Sequence, residues 1–277
     1  MSITSEIGIM QGRLSPKIDG KIQAFPVENW KSEFQLARQI GFSSIEWIVE
    51  KPLELNPLLN EVGINDIKKI IEKTGIKVEF ICADIFMQEP IKNEKLILDK
   101  SRDLILRIIE NGYKIGAKYI EIPFVDNSSI RNIDTHYLLS FFNSFEEELA
   151  NKDMFINLET DLNHLEFKSL LSKLNFRIGA NYDIGNSASL GYDFENEIDS
   201  YGERINNVHI KDRKLGGSTV EFGTGNADIE KVLSKLSQIN YQEGIIIQGA
   251  RGENDFEVAK KQYEFTNKIT NKLNYVK

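Results

Sequence analysis

The chain has 277 residues, of which 41% are hydrophobic and 27% are charged, as expected for a globular protein and not for a fibrous or low-complexity one. Its 34 basic and 42 acidic side chains give a formal net charge of −8, which disfavours nucleic acid as a partner because phosphate backbones are bound by lysine and arginine. One cysteine and three histidines exclude an internal disulfide and a zinc finger.

The N-terminal residues 1–14 contain neither the basic region nor the apolar region of a signal peptide. No stretch of the sequence approaches eighteen uninterrupted apolar residues, the length that spans a bilayer. We therefore expect a cytoplasmic protein that does not interact with a membrane.

Short apolar or β-branched runs recur along the whole chain and predict eight strands. They cover residues 6–10, 44–48, 77–82, 118–122, 154–159, 177–183, 207–211 and 244–248. Helical spacing of apolar residues predicts helices between and after them, around residues 30–40, 67–71, 104–113, 138–149, 167–174, 194–201, 228–236 and 256–273. Glycines 41, 75 and 116 follow the first three of these helices and predict left-handed caps.

This regular alternation predicts parallel strands joined by helical crossovers, and eight such units favour a closed (β/α)8 TIM barrel. No linker-like segment interrupts the series, so the prediction is a single domain over residues 1–277. The alternative is an open, doubly wound sheet. A dinucleotide-binding sheet of that kind needs G-x-G-x-x-G after its first strand, where this chain has only Gly12.

Polar side chains stand at the ends of the last four predicted strands. Glu159 and Asp183 end the fifth and sixth strands, His209 lies in the seventh, and Gln248 ends the eighth. Because active sites of such barrels lie at the carboxyl ends of the strands, these four residues predict a divalent metal site for Mn²⁺, Mg²⁺, Co²⁺ or Zn²⁺. The competing interpretation is that the carboxylates are solvated strand ends and that His209 is a hydrogen-bonded core residue.

Further polar residues are predicted at the same end of the barrel, where they would bind substrate. They are Arg13, Glu46, Asp84, Asn186, Lys211, Arg213 and Arg251. Two glycine pairs, Gly216-Gly217 and Gly223-Thr224-Gly225, could present backbone N–H groups to an anion. The alternative is that the basic residues are ordinary surface charges and that Glu46 and Asp84 cap the helices that follow them.

Five short motifs carry a resemblance to a known family. They are Ile-Met-Gln-Gly-Arg-Leu-Ser-Pro at 9–16, Ile-Gln-Ala-Phe-Pro at 22–26, Leu-Glu-Thr at 158–160, Asp-Ile-Gly-Asn at 183–186 and Val-His-Ile-Lys-Asp at 208–212. In order and placement they resemble the sugar phosphate isomerase/epimerase group of the xylose-isomerase-like barrel superfamily, over essentially the whole chain.

The resemblance implies a (β/α)8 barrel that holds a divalent metal through Glu159, Asp183, His209 and the residue of the eighth strand. It implies aldose–ketose isomerisation or ketose epimerisation of a small sugar or sugar phosphate, in which the metal polarises sugar oxygens while a carboxylate moves a proton. We expect Glu159 and Lys211 to be the catalytic residues. Barrels of this class often pair, so a homodimer is a further expectation.

Gln248 departs from the family pattern. Epimerases of the superfamily use opposed glutamates on strands five and eight, but an amide cannot accept a proton at neutral pH. Glu159 is then the only obvious strand-end base, and metal-held hydride transfer is a live alternative to proton transfer.

Other functions of the same scaffold also stay open. A metal-dependent lyase or dehydratase and a sugar-binding barrel without turnover would both use the same strand-end residues. Apurinic endonucleases of the superfamily are disfavoured, since they gather more histidines than the three present here and bind DNA.

Overall fold

The computed structural model describes residues 2–275 and shows a closed parallel barrel in that range. The strands are β1 (Ile7–Met10), β2 (Ser44–Ile48), β3 (Phe80–Cys82), β4 (Tyr119–Phe124), β5 (Phe155–Thr160), β6 (Ile178–Asp183), β7 (Ile205–Ile210), β8 (Asp212–Arg213), β9 (Thr219–Val220) and β10 (Gly244–Ile247). All except β8 and β9 belong to the barrel, in the order β1-β10-β7-β6-β5-β4-β3-β2. The predicted (β/α)8 TIM barrel is confirmed.

The barrel closes because β1 pairs in parallel with both β2 and β10. Ile9 lies opposite Ile45 on one side and opposite Ile247 on the other. An open doubly wound sheet would leave two unpaired edges, so this closure decides against the alternative fold.

Eleven α-helices lie within residues 2–275, most of them on the crossovers between barrel strands. They are α1 (Trp30–Ile40), α2 (Glu61–Thr74), α3 (Ile85–Gln88), α4 (Lys95–Ile115), α5 (Thr135–Asn143), α6 (Glu146–Lys152), α7 (His164–Leu171), α8 (Ile184–Leu190), α9 (Phe194–Tyr201), α10 (Ile229–Gln238) and α11 (Asp255–Tyr275). The three predicted glycine caps are confirmed, with left-handed Gly41, Gly75 and Gly116 at the ends of α1, α2 and α4. None of these helices is long and apolar enough to cross a membrane.

The structure differs from the predicted elements in several places, and it adds the short helices α3 and α8, which were not predicted. The third strand begins at Phe80 and not at Lys77, which contributes only an isolated bridge to Ser44. The predicted helix around 138–149 is broken into α5 and α6, and Phe145 at the break is fully buried. The hairpin of β8 and β9 after β7 was not predicted, because two-residue strands leave no periodic signal.

Apolar side chains fill the space between helices and sheet, and they account for most of the stabilisation. Phe34 on α1 and Trp47 on β2 are fully buried, and each such side chain contributes about 1.5–3 kcal/mol on removal from water. The barrel strands also bury polar side chains to 2% exposure or less. These are Glu46, Glu121, Asn157, Asn207 and His209. Burying polar groups costs free energy unless they are paired, so a group of them inside a barrel marks a site that folding alone does not require.

Candidate active site

Three of the four predicted metal ligands lie together at the carboxyl end of the barrel. Glu159, Asp183 and His209 come from the neighbouring strands β5, β6 and β7, and Asp183 lies opposite His209 in the sheet register. The Nδ1 atom of His209 is 3.7 Å from Oε2 of Glu159 and 3.9 Å from Oδ2 of Asp183. All three side chains are buried, and their ligand atoms lie within 4.8 Å of one another. This group could hold a metal ion.

The other ring nitrogen of His209 faces a second carboxylate pair. Its Nε2 atom lies 2.8 Å from Oε2 of Glu46 and 2.9 Å from Oε2 of Glu121. Glu46 was predicted to contact substrate at the rim, but the structure places it fully buried beneath the imidazole. A ring held in this way from below is fixed in orientation, with Nδ1 directed towards Glu159 and Asp183.

Glu121 was not predicted as a site residue, because it lies in the middle of β4 and not at a strand end. A signal was available, since it stands between Ile120 and Ile122, which are both fully buried. A glutamate within an apolar barrel strand has no solvent to face, and its position by itself indicates a partner inside the barrel.

Burial and the charges within this cluster shift the pKa values of its side chains. Burial, with the charge of Asp183 next, raises the pKa of Glu159 well above its usual range. Burial likewise raises the pKa of Glu121 to about 7. Burial alone would lower the pKa of His209, but the attraction of Glu121 and Glu46 outweighs it and raises that pKa well above the ordinary value. The cluster is therefore rich in negative charge and is stabilised by protons or by a cation.

Asparagine side chains fix the carboxylate of Glu159. Nδ2 of Asn181 donates to Oε2 of Glu159 at 2.8 Å, and Nδ2 of Asn186 donates to Oε1. The amide oxygen of Asn186 in turn accepts from Nη1 of Arg213 at 2.7 Å. Asn186 and Arg213, both predicted to bind substrate, thus lie in a chain of hydrogen bonds that ends on Glu159.

Lys211 lies at the same end of the barrel. Its Nζ atom is 2.6 Å from Oδ2 of Asp183, and its side chain is only 13% exposed. The ammonium group is therefore close to the Glu159, Asp183 and His209 group, where it can donate a hydrogen bond to a bound oxygen.

Gln248, the fourth predicted ligand, follows β10 and is buried. Its Nε2 atom donates to Oε1 of Gln23 at 2.9 Å, and Nε2 of Gln23 donates to Oδ1 of Asp84 at 3.0 Å. The Oε1 atom of Gln248 is buried without a hydrogen-bond partner. Such an atom costs free energy unless something binds it, so it is available as a ligand.

The two predicted arginines of the first and last strand ends are already engaged. Arg13 donates to the backbone oxygens of Gly249 and Ile22, at 3.3 Å and 2.7 Å. Arg251 pairs with Asp255 at 2.7 Å and donates to the carbonyl of Ser15. Most N–H donors of both guanidinium groups therefore already have acceptors within the protein.

The glycine pairs are engaged as well. The N–H groups of Gly223 and Gly225 both donate to Oδ2 of the buried Asp212, at 2.9 Å each. Those of Gly216 and Gly217 donate to backbone carbonyls. The suggestion that these segments cradle an anion has no support in the geometry.

Residues 34–269 match the family model of the xylose isomerase-like TIM barrel, and the chain belongs to that family. No protein of curated function matches it in sequence.

Solved structures share the fold at low sequence identity. D-allulose 3-epimerase from Methylomonas sp. is 16% identical with a TM-score of 0.76, over 97% of this chain and 100% of that one. The IolI protein with a bound zinc atom is 16% identical with a TM-score of 0.72, over 97% of each chain. The 3-keto-D-glucoside 4-epimerase from E. coli is 18% identical with a TM-score of 0.71, over 95% of this chain and 98% of that one. At these identities the likeness shows the fold.

Proposed function

We propose that the chain is a divalent-metal-dependent isomerase or epimerase of a small sugar or sugar phosphate. The observation that carries the proposal is the buried group of Glu159, Asp183 and His209 at the carboxyl end of three adjacent strands. That end of a (β/α)8 barrel is where active sites lie. Two of the similar structures support the proposal, one being an epimerase in complex with D-allulose and the other a barrel with bound zinc.

The donor set fits a divalent cation. Two carboxylates and the Nδ1 atom of His209 lie in one group, and the unpaired Oε1 atom of Gln248 would add a fourth ligand for Mn²⁺, Mg²⁺, Co²⁺ or Zn²⁺. A cation would also offset the mutual repulsion of Glu159 and Asp183, which contributes to the raised pKa of Glu159. When bound, the metal would act as a Lewis acid that polarises sugar oxygens.

Glu159 is the proposed acid and base. A carboxylate at this position can accept a proton from a carbon beside a carbonyl and can return it. Asn181 and Asn186 hold both of its oxygens, so the direction of the proton transfer is fixed by the fold. Lys211 would donate a hydrogen bond to the substrate oxygen that gains charge.

Gln248 bears on the choice between ketose epimerisation and aldose–ketose isomerisation. Epimerisation removes a proton from one face of a carbon and returns one to the other face, which calls for two groups that titrate. Gln248 does not titrate, so Glu159 has no carboxylate opposite it on the eighth strand. A single base that returns the proton to the neighbouring carbon on the same face gives aldose–ketose isomerisation, and we favour that reaction.

Proton NMR in D₂O tests the proposal on the Mg²⁺-loaded protein, with a panel of aldoses and ketoses that includes D-allulose. We expect conversion with deuterium entering the carbon next to the carbonyl, and loss of both when the metal is chelated. Conversion without deuterium would instead establish hydride transfer. Loss of water would establish a lyase, and unchanged spectra across the panel would count against the isomerase and favour a binding protein.

A further inference from the structure

The loop between β1 and α1 places one side chain, Gln23, across the mouth of the barrel. Its amide nitrogen donates to Oδ1 of Asp84 at 3.0 Å. Its amide oxygen accepts from Nε2 of Gln248 at 2.9 Å and from Nη2 of Arg13 at 3.3 Å. One amide thus connects groups that follow the first, third and eighth barrel strands.

The two ends of this loop are anchored, while its middle is exposed. Oε2 and Oε1 of the buried Glu33 accept from the backbone N–H groups of Gly12 and Leu14, each at 3.0 Å. The buried Glu50 accepts from the N–H of Phe25. Residues 16–22 between these anchors are exposed. The segment next to Gln23 can therefore change conformation without disturbing its anchors.

Gln23 is held at this position by its three side-chain hydrogen bonds, and its side chain is partly exposed. A ligand that offers a donor and an acceptor in the same place can therefore reach and replace it.

The groups around Gln23 have the pattern that recognises a hydroxyl group. Asp84 is an acceptor, while Arg13 and Gln248 present donors, and a hydroxyl both donates and accepts as the Gln23 amide does. Two further N–H groups of Arg13, on Nε and Nη1, donate to backbone carbonyls.

A phosphate would fit this position poorly. It would lie beside the carboxylate of Asp84 and near that of Glu50. Burial, followed by the charge of Glu50, already raises the pKa of Asp84 to about 6, so added negative charge is disfavoured here.

We propose that Arg13, Asp84 and Gln248 form a subsite for an uncharged, hydroxyl-bearing part of the substrate, and that Gln23 fills this subsite until the substrate displaces it. The inference deepens the proposed function, because it rests on the substrate being a sugar. It selects a neutral sugar over one that carries phosphate at this position.

Isothermal titration calorimetry tests the proposal with D-allulose and D-allulose 6-phosphate on the Mg²⁺-loaded protein. Gln23→Ala removes the competing amide, and we expect the D-allulose dissociation constant to fall about threefold to tenfold, the factor for about one net hydrogen bond. Asp84→Ala should raise it at least tenfold, and the phosphate ester should bind more weakly than the neutral sugar. Lys21→Ala, a change at an exposed position of the same loop, is the matched control and should leave the constant unchanged.

Three results would overturn the subsite. They are weaker or unchanged D-allulose binding by Gln23→Ala, tighter binding of the phosphate ester, and no binding by either wild type or Gln23→Ala. Deuterium exchange measured on the same samples separates the two proposals. Exchange without the expected pattern of dissociation constants refutes the subsite alone, whereas that pattern without exchange refutes the isomerase alone.

Discussion

Replacing Glu121 by glutamine should weaken metal binding without weakening the fold. Oε2 of Glu121 lies 2.9 Å from Nε2 of His209, and the side chain is 2% exposed. Glu121→Gln keeps the volume of the side chain and removes its charge. His209 would then lose one of the two carboxylates that orient Nδ1 towards the proposed metal site.

Two independent estimates agree on how much metal affinity Glu121→Gln should lose. A hydrogen bond to a charged group is worth about 1.5–3 kcal/mol, and loss of a partner of a metal-ligating histidine typically costs about 10–100-fold in affinity, which is 1.4–2.7 kcal/mol. The fold should respond differently. Burial already raises the pKa of Glu121 to about 7, so a neutral amide removes a desolvation penalty as well as an attraction.

Calorimetric titration with Mn²⁺ measures the metal affinity, and urea unfolding of the metal-free protein measures the stability of the fold. We expect the Mn²⁺ dissociation constant of Glu121→Gln to rise about 10–100-fold while the free energy of unfolding changes by less than about 1 kcal/mol. Glu46→Gln should behave similarly, since Glu46 lies 2.8 Å from the same nitrogen. Glu243→Gln, an exposed change beside Tyr119 at the amino-terminal end of the strands, should change neither quantity. An Mn²⁺ constant of Glu121→Gln within twofold of wild type would refute the proposed orienting role.

Glu159→Gln should lower the rate of deuterium exchange by roughly 10²–10⁴, the usual contribution of a general base, and an unchanged rate would show that another group moves the proton. Gln248→Ala should raise the Mn²⁺ dissociation constant about tenfold. It should leave the ionisations of the pH–rate profile in place, because an amide does not titrate. A lost ionisation would contradict the assignment of Gln248 as a neutral ligand. Burial raises the pKa of Glu33 from 4.5 to about 7, so the folded state binds an extra proton there, and the contribution of Glu33 to the free energy of unfolding should fall by about 3 kcal/mol as pH rises from 4.5 to 7. Urea titrations should show a decline smaller by about this amount in Glu33→Gln than in wild type, and an equal decline in both proteins would place its origin elsewhere.

Much of the fold was predictable because its signals are local. Each barrel strand is a short apolar run and each long helix has one apolar face, so the eight units can be counted along the chain. Gly41, Gly75 and Gly116 mark helix ends by a backbone conformation that other residues rarely adopt. The residues at which the chain departs from these patterns were harder to place. Phe145 at the break is fully buried, and Arg102 of α4 lies 6.0 Å from the centre of its ring, a long-range contact that no local pattern records.

The candidate site was predictable to the extent that parallel strands all end on one side. That rule predicts that Glu159, Asp183 and His209 lie together, and their ligand atoms are indeed within 4.8 Å of one another. It gave no information on Glu121, since a residue in the middle of a strand reaches the site only through the interior of the closed barrel. Nor did it indicate that Gln23 would lie against Gln248, because 225 residues separate the two in the chain.

The sequence by itself therefore determined the number of βα units, their order, and which strand ends carry the candidate site residues. These properties follow from hydrophobic periodicity and from the direction of each strand, and both are written in consecutive residues. Only the tertiary structure decided how His209 is used. Closing β1 onto β10 brings Glu46 from the second strand and Glu121 from the fourth to one nitrogen of a ring on the seventh. Pairings of that kind depend on the curvature and register of the whole barrel, and no segment of the chain contains them.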